Sequence, residues 1–139
     1  MKFSRPIFAV LLLAASITLV SKSAVADEYL FDLLAKPEYS KSWNALIQNE
    51  RSVDAWLAKY GKTKNGPTSP GRTVKLNDGS YILNMVCKAH DCGDNKFYVL
   101  FSPNGTEAWG LLVTNGTTER FFGKPDEEKK IALQAAKQN

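Results

Sequence analysis

The stretch Phe97-Tyr98-Val99-Leu100-Phe101 is apolar at every position and lies between two turn-forming clusters, Gly93-Asp94-Asn95 and Pro103-Asn104-Gly105. A short run with no polar side to offer water predicts a central strand, buried on both faces. Such a strand needs partners on either side, and the neighbouring sequence supplies them. Upstream, Thr73-Val74-Lys75-Leu76 runs into Asn77-Asp78-Gly79-Ser80, a tight-hairpin signal, and Tyr81 to Val86 forms the return strand. Downstream, Glu107 to Val113 and Thr117 to Phe122 are separated by Asn115-Gly116. Turn signals at this spacing describe an antiparallel meander.

Before Arg72 the period is helical. Tyr29-Leu30-Phe31 and Leu33-Leu34 form a short apolar stretch ended by Lys36-Pro37, with Pro37 suited to the first turn of a helix. Tyr39, Trp43, Leu46 and Ile47 then share one helical face. A second helix is expected with Ser52 as N-cap, Val53, Trp56, Leu57 and Tyr60 as its stripe, and Gly61 at its end. At this spacing the tryptophans read as core. Lys62 to Gly71 holds Asn65-Gly66-Pro67 and Ser69-Pro70-Gly71 and reads as a connecting loop. Near the end, Pro125 followed by Asp126-Glu127-Glu128 marks a terminal helix with a weak apolar face. The expected fold is α+β: a roughly five-stranded antiparallel sheet covered on one face by two or three helices.

The first 26 residues have a different character. Lys2 and Arg5 precede an apolar run from Ile7 to Val20, and Ala24-Val25-Ala26 supplies the small residues of a cleavage site before Asp27. This is the order of a secretory signal, which makes residues 1–26 a cleaved leader and residues 27–139 a single domain. Without the leader's Lys2, Arg5 and Lys22 the chain keeps 15 basic against 14 acidic residues, a net charge of +1 rather than +4. Nucleic-acid binding thereby loses its main physical support. No other apolar run is long enough to suggest a membrane span after cleavage. Asn104-Gly105-Thr106 and Asn115-Gly116-Thr117 match a glycosylation acceptor pattern, but both are read as turns.

One stretch has no place in a core. Cys87-Lys88-Ala89-His90-Asp91-Cys92 contains both cysteines and the single histidine of the chain. Export places the cysteines where disulfides persist, and with four residues between them they can close a small ring. Closing so short a loop constrains the unfolded chain by only about 2 kcal/mol. A domain of this size does not need that staple. A pre-closed loop does lose less entropy on docking. Two readings stand side by side: a stapled turn with a solvated histidine, and a preorganised contact device.

Other chemistries fit less well. Cys87, His90, Asp91 and Cys92 are all ligand types, but their spacing is not that of a structural zinc site, and oxidation removes both thiolates. Nucleophile activation by histidine has only His90 to draw on, with no second shell to orient it. No spacing among the acids selects a glycosidase pair. Neither an enzyme nor a cofactor or metal protein is expected.

The ring resembles the Cys-Lys-Pro-His-Asp-Cys loop of the inhibitor of vertebrate lysozyme (Ivy) family. Five of the six positions agree at identical spacing, with Ala89 in place of the family's proline. The exported chain, Ala55-Trp56 in the helical half and the hairpin leading into the ring are similar as well. The resemblance implies a periplasmic protein that inhibits c-type lysozyme by inserting this loop into the active-site cleft. His90 would then sit between the catalytic carboxyls, with Asp91, Lys88 and Ala89 as further loop contacts and Cys87–Cys92 as the clamp. Bacterial lytic transglycosylases are the alternative target. A peptidoglycan- or carbohydrate-binding module, with Trp109 or Tyr98 as stacking platform, is the alternative from another class. Self-association as a homodimer is left open.

Overall fold

The structure is a computed structural model that describes residues 27–138. The expected leader lies outside the described residues. The chain runs through three helices, α1 (Leu30–Leu33), α2 (Pro37–Gln48) and α3 (Ala55–Thr63), before entering the sheet. Five strands follow, β1 (Thr68–Leu76), β2 (Gly79–Cys87), β3 (Lys96–Phe101), β4 (Ala108–Thr114) and β5 (Thr118–Phe122), and then helix α4 (Glu127–Ala135) and a 3-10 turn, Ala136–Gln138. The sheet order is β1-β2-β3-β4-β5, with every pair antiparallel. This is the expected α+β meander, with the all-apolar run as its middle strand.

Strand alternation sends successive side chains to opposite faces. Ile82, Val86, Phe97, Val99, Phe101, Leu112 and Phe122 pack against α1, α2 and α3, where Trp43 and Tyr60 are fully enclosed. Trp43 meets Phe97 edge-on at 5.6 Å between ring centres, and Phe97 meets Phe122 at 5.1 Å. The tryptophan stripe of α2 is core, as its spacing predicts. Each large side chain so buried contributes roughly 1.5–3 kcal/mol. Gly110 makes room for this stack, because a Cβ there would lie 2.2 Å from the Phe97 ring.

Three helices cover one face, and the fourth covers the other. Tyr81, Leu83, Tyr98, Leu100, Leu111 and Val113 pack with Leu133 and Ala136 of the C-terminal segment. A central strand buried on both sides requires this second cover. The start of α4 is fixed by Asp126, whose carboxylate accepts from the Lys129 backbone N–H and, at 2.6 Å, from its Nζ. Lys129 is buried beneath the helix, with Nζ 4.8 Å from the Trp109 ring centre. Its side-chain and then its backbone hydrogen bond hold the Asp126 carboxyl below its ordinary pKa.

Three local expectations are corrected. The N-cap of α3 is Asp54, not Ser52. Ser52 is in the left-handed region at φ 56°, and its carbonyl accepts from Arg120. Gly61 does not end α3. It lies inside the helix, where a Cβ would come within 2.9 Å of Trp43 Nε1, and Lys64 at φ 53° is the C-cap. The segment 62–71 is not all loop, because β1 begins at Thr68 and its register shifts between Ser69 and Arg72. Pro70 and Gly71 occupy this bulge on an edge strand, where a missing N–H breaks no ladder bond.

Candidate functional site

The connection from β2 to β3 spans residues 88–95, because Cys87 is the last residue of the pairing and lies opposite Lys96. The cysteines are joined, with their Cα atoms 4.9 Å apart. Within the ring the Asp91 N–H donates to the Lys88 carbonyl at 3.0 Å, closing a four-residue turn over Ala89 and His90. His90 has φ 64° and Ala89 is not among the positive-φ residues. Positive φ at the third position alone is the pattern of a type II turn. A non-glycine residue held there costs roughly 1–2 kcal/mol, so the surrounding bonds must hold the conformation.

Those bonds come from outside the six-residue motif. The Lys88 N–H donates to the Asn95 carbonyl, and the Asn95 N–H donates to the Asp91 carbonyl, both at 3.0 Å. Asn95 Nδ2 also donates to Asp91 Oδ2 at 2.7 Å, and Lys88 Nζ stands 3.6 Å from the same oxygen. At the root, the Cys87 N–H donates to the Pro67 carbonyl at 3.0 Å. Gly66 lies against that root so closely that a Cβ would fall 2.5 Å from the Cys87 carbonyl oxygen. From the far side the Gly116 N–H donates to the Asp94 carbonyl at 3.0 Å. Asn95, Gly66 and Gly116 all carry ordinary loop chemistry in the sequence, and nothing there marks them as braces.

Four residues of the motif therefore have distinct positions. Lys88 and His90 are exposed, while Ala89 and Asp91 are half-buried. Asp91 is turned inward to Asn95 and Lys88, which makes it a support of the loop as well as a candidate contact. Beside the ring, a cleft is lined by Trp56, Lys59, Thr63, Asn65, Lys88 and Ala89. The indole Nε1 of Trp56 is buried there without a hydrogen-bond partner among the described residues. Sequence spacing placed Trp56 on the core stripe, and it does pack on the core, but it also borders this cleft.

Of the two rings considered as sugar platforms, Tyr98 is buried, while Trp109 is half-buried with Lys129 Nζ 4.8 Å from its ring centre. Among the described residues no three His, Cys, Asp or Glu side chains gather in a metal-binding group, and no helix is long and apolar enough to cross a membrane.

The fold and this loop define a small α+β domain that presents one braced, disulfide-closed loop where β2 passes into β3. The family described as Inhibitor of vertebrate lysozyme (Ivy) matches residues 38–138. A Pseudomonas aeruginosa protein named Inhibitor of vertebrate lysozyme is 30% identical over 135 residues, which cover 88% of this chain and 86% of that protein. The Escherichia coli K12 protein of the same name is 30% identical over 101 residues, 72% of this chain and 60% of its own length. An uncharacterized Yersinia pestis protein is 25% identical over 128 residues, covering 84% and 80%. The chain belongs to the inhibitor of vertebrate lysozyme family.

Proposed function

We propose that this protein inhibits c-type lysozyme by placing the Cys87–Cys92 loop in the enzyme's active-site cleft, with His90 between the two catalytic carboxyls. The observation that carries the reading is the position of His90. It is exposed, at the tip of a turn whose backbone is fixed on every side, in a chain of the lysozyme-inhibitor family. Retaining glycoside hydrolysis needs two carboxyls in different protonation states. An imidazole has two ring nitrogens and can meet both groups at once. Lodged there, it blocks the substrate and disturbs the acid–nucleophile pair together. Lys88, Ala89 and the neighbouring cleft with Lys59 and Trp56 then face the rim of the enzyme's site, and Asp91 keeps the loop in shape. The leader at residues 1–26 directs the protein to the periplasm, where an incoming lysozyme meets it before the cell wall is cut. No catalytic role is assigned to any residue of the loop.

Residual lysozyme activity measured against increasing inhibitor tests this. His90→Ala is expected to weaken inhibition by at least about 30-fold, as loss of a central interface side chain does, with no change in melting temperature. Equal inhibition by His90→Ala and the unaltered protein would remove His90 from the site. Absence of inhibition by either would remove lysozyme as the target.

A further inference from the structure

The cover over the α4 face is incomplete at the end of the sheet nearest the ring. There a cavity of about 260 Å³ opens between β1, the ends of β2 and β3, and the C-terminal 3-10 turn. Its floor is apolar, made by Leu83 and Met85 with Ala136 as one wall. Its polar side chains are Arg72, Lys96, Lys137, Ser69 and Tyr98. Among the described residues no carboxylate lines it.

The strand register explains how the charges come together. Arg72 lies opposite Leu83, Met85 opposite Tyr98, and Cys87 opposite Lys96. These are three successive rows on one face of the sheet, about 7 Å apart along the strands. The Tyr98 phenol thus stands between the row of a guanidinium and the row of an ammonium. Burial pushes the phenol's pKa up, and the nearby Arg72 charge pulls it back. The phenol therefore stays a neutral O–H donor.

The cations are not equivalent. Lys137 is already engaged by Glu119. Arg72 and Lys96 form no ion pair with any described residue. Two unpaired cations beside a hydroxyl donor, above an apolar floor, are complementary to one kind of guest. The guanidinium fork and the ammonium match a carboxylate. Leu83 and Met85 match a hydrocarbon body that a fully hydrated inorganic anion lacks.

We propose that this cavity is a binding site for a small organic carboxylate with an apolar body, held by Arg72, Lys96 and the Tyr98 hydroxyl. It is separate from the loop tip, since neither His90 nor any other residue of the 88–92 segment lines it. The site stands or falls independently of lysozyme inhibition.

The experiment is a titration of the isotope-labelled full chain with octanoate, followed by NMR at the Met85 methyl and the Tyr98 ring. Octanol and inorganic phosphate serve as comparison probes. Saturable shifts with octanoate, and much weaker ones with either comparison probe, are expected. Arg72→Gln and Lys96→Gln should each weaken octanoate binding by about tenfold, the scale of a lost charge-assisted hydrogen bond. Arg72 is exposed and Lys96 half-exposed, so both variants keep the core, and an unchanged melting temperature confirms it. If one variant fails to fold, the other carries the comparison. Three outcomes overturn the proposal. No saturable shift with octanoate means no site, equal binding of octanol means an apolar groove without charge recognition, and equal binding of phosphate means a cation cluster alone.

Discussion

Two connections of the same sheet solve the same topological problem in opposite ways. β1 and β2 are joined through Asn77 and Asp78 alone, with Leu76 already paired to Gly79. β2 and β3, also adjacent and antiparallel, are joined through residues 88–95. The long connection is not demanded by the fold, since two residues suffice next door. The short one is shaped by the strands it joins. Gly79 takes φ 157° and packs against Pro103, while Tyr81 donates to Asp78 at 2.9 Å. The long one is shaped by its own crosslink, by hydrogen bonds within itself and by hydrogen bonds to two other segments, at Pro67 and Gly116. A disulfide, a histidine at positive φ and several backbone bonds on a connection longer than the strands require are what the contact surface proposed above would need. The difference separates a turn that serves the sheet from a loop that the sheet serves.

The largest effect that sharpens this contrast should come from opening the ring. Replacing both Cys87 and Cys92 by Ser removes a closure worth about 2 kcal/mol in the chain-entropy account. The five strands do not depend on it, because Cys87 is still held by its N–H to the Pro67 carbonyl. Melting should remain a single cooperative transition at a lower temperature, while inhibition of lysozyme weakens by more than the fall in folded fraction explains. A variant that loses its sheet, seen by far-ultraviolet circular dichroism, would show that the ring is a structural staple. The contrast between the two connections would then collapse.

The complementary change is Gly79→Ala at the short connection. A Cβ there would stand 2.9 Å from Pro103 Cγ, in a backbone conformation that L side chains rarely adopt. The expected cost is about 1–2 kcal/mol in stability, read from denaturant unfolding. Inhibition by the folded fraction should be unchanged, because this turn lies outside the proposed contact surface. Weakened inhibition at full folding would mean that the β1–β2 turn also meets the partner.

The parts of the molecule that were legible in the sequence are those whose cause is local. The Phe97–Phe101 strand, the Asn-Gly and Asn-Asp turns and the α2 stripe each follow from a pattern of a few residues. The ring was visible because a polar, cysteine-bounded segment cannot be core. What escaped depends on distant neighbours. Gly61 resembles a helix terminator, but its small size serves the Trp43 indole of another helix. Pro70 and Gly71 resemble loop residues, and they sit in a bulge whose partner strand lies more than ten residues on. Ser52 is a good cap by type, yet its carbonyl accepts from Arg120 of β5. The same holds at the site. The six-residue motif announced the loop, while Asn95, Gly66 and Gly116, which fix it, came into view only through tertiary contacts. The second cover over β3 was implied by a strand buried on both faces, but the weak apolar face of α4 did not say which side it would take.

The smallest predicted effect concerns the one departure of the ring from its family's loop. Ala89 is the second residue of the turn that the Asp91 N–H closes on the Lys88 carbonyl, the position that proline favours in a type II turn. Its own N–H donates to no group among the described residues. Proline there loses no hydrogen bond, and it limits the unfolded loop to conformations the turn already uses. Ala89→Pro should therefore stabilise the protein by about 0.4–1 kcal/mol, measured by denaturant unfolding. Inhibition should tighten by a few-fold at most, through slower dissociation rather than new contacts. At Asn77 or Asp78 the same substitution has no such reason to help. A destabilised Ala89→Pro variant would show that Ala89 is held outside the proline range of φ, and that this ring has a different turn from the one its family's proline suits.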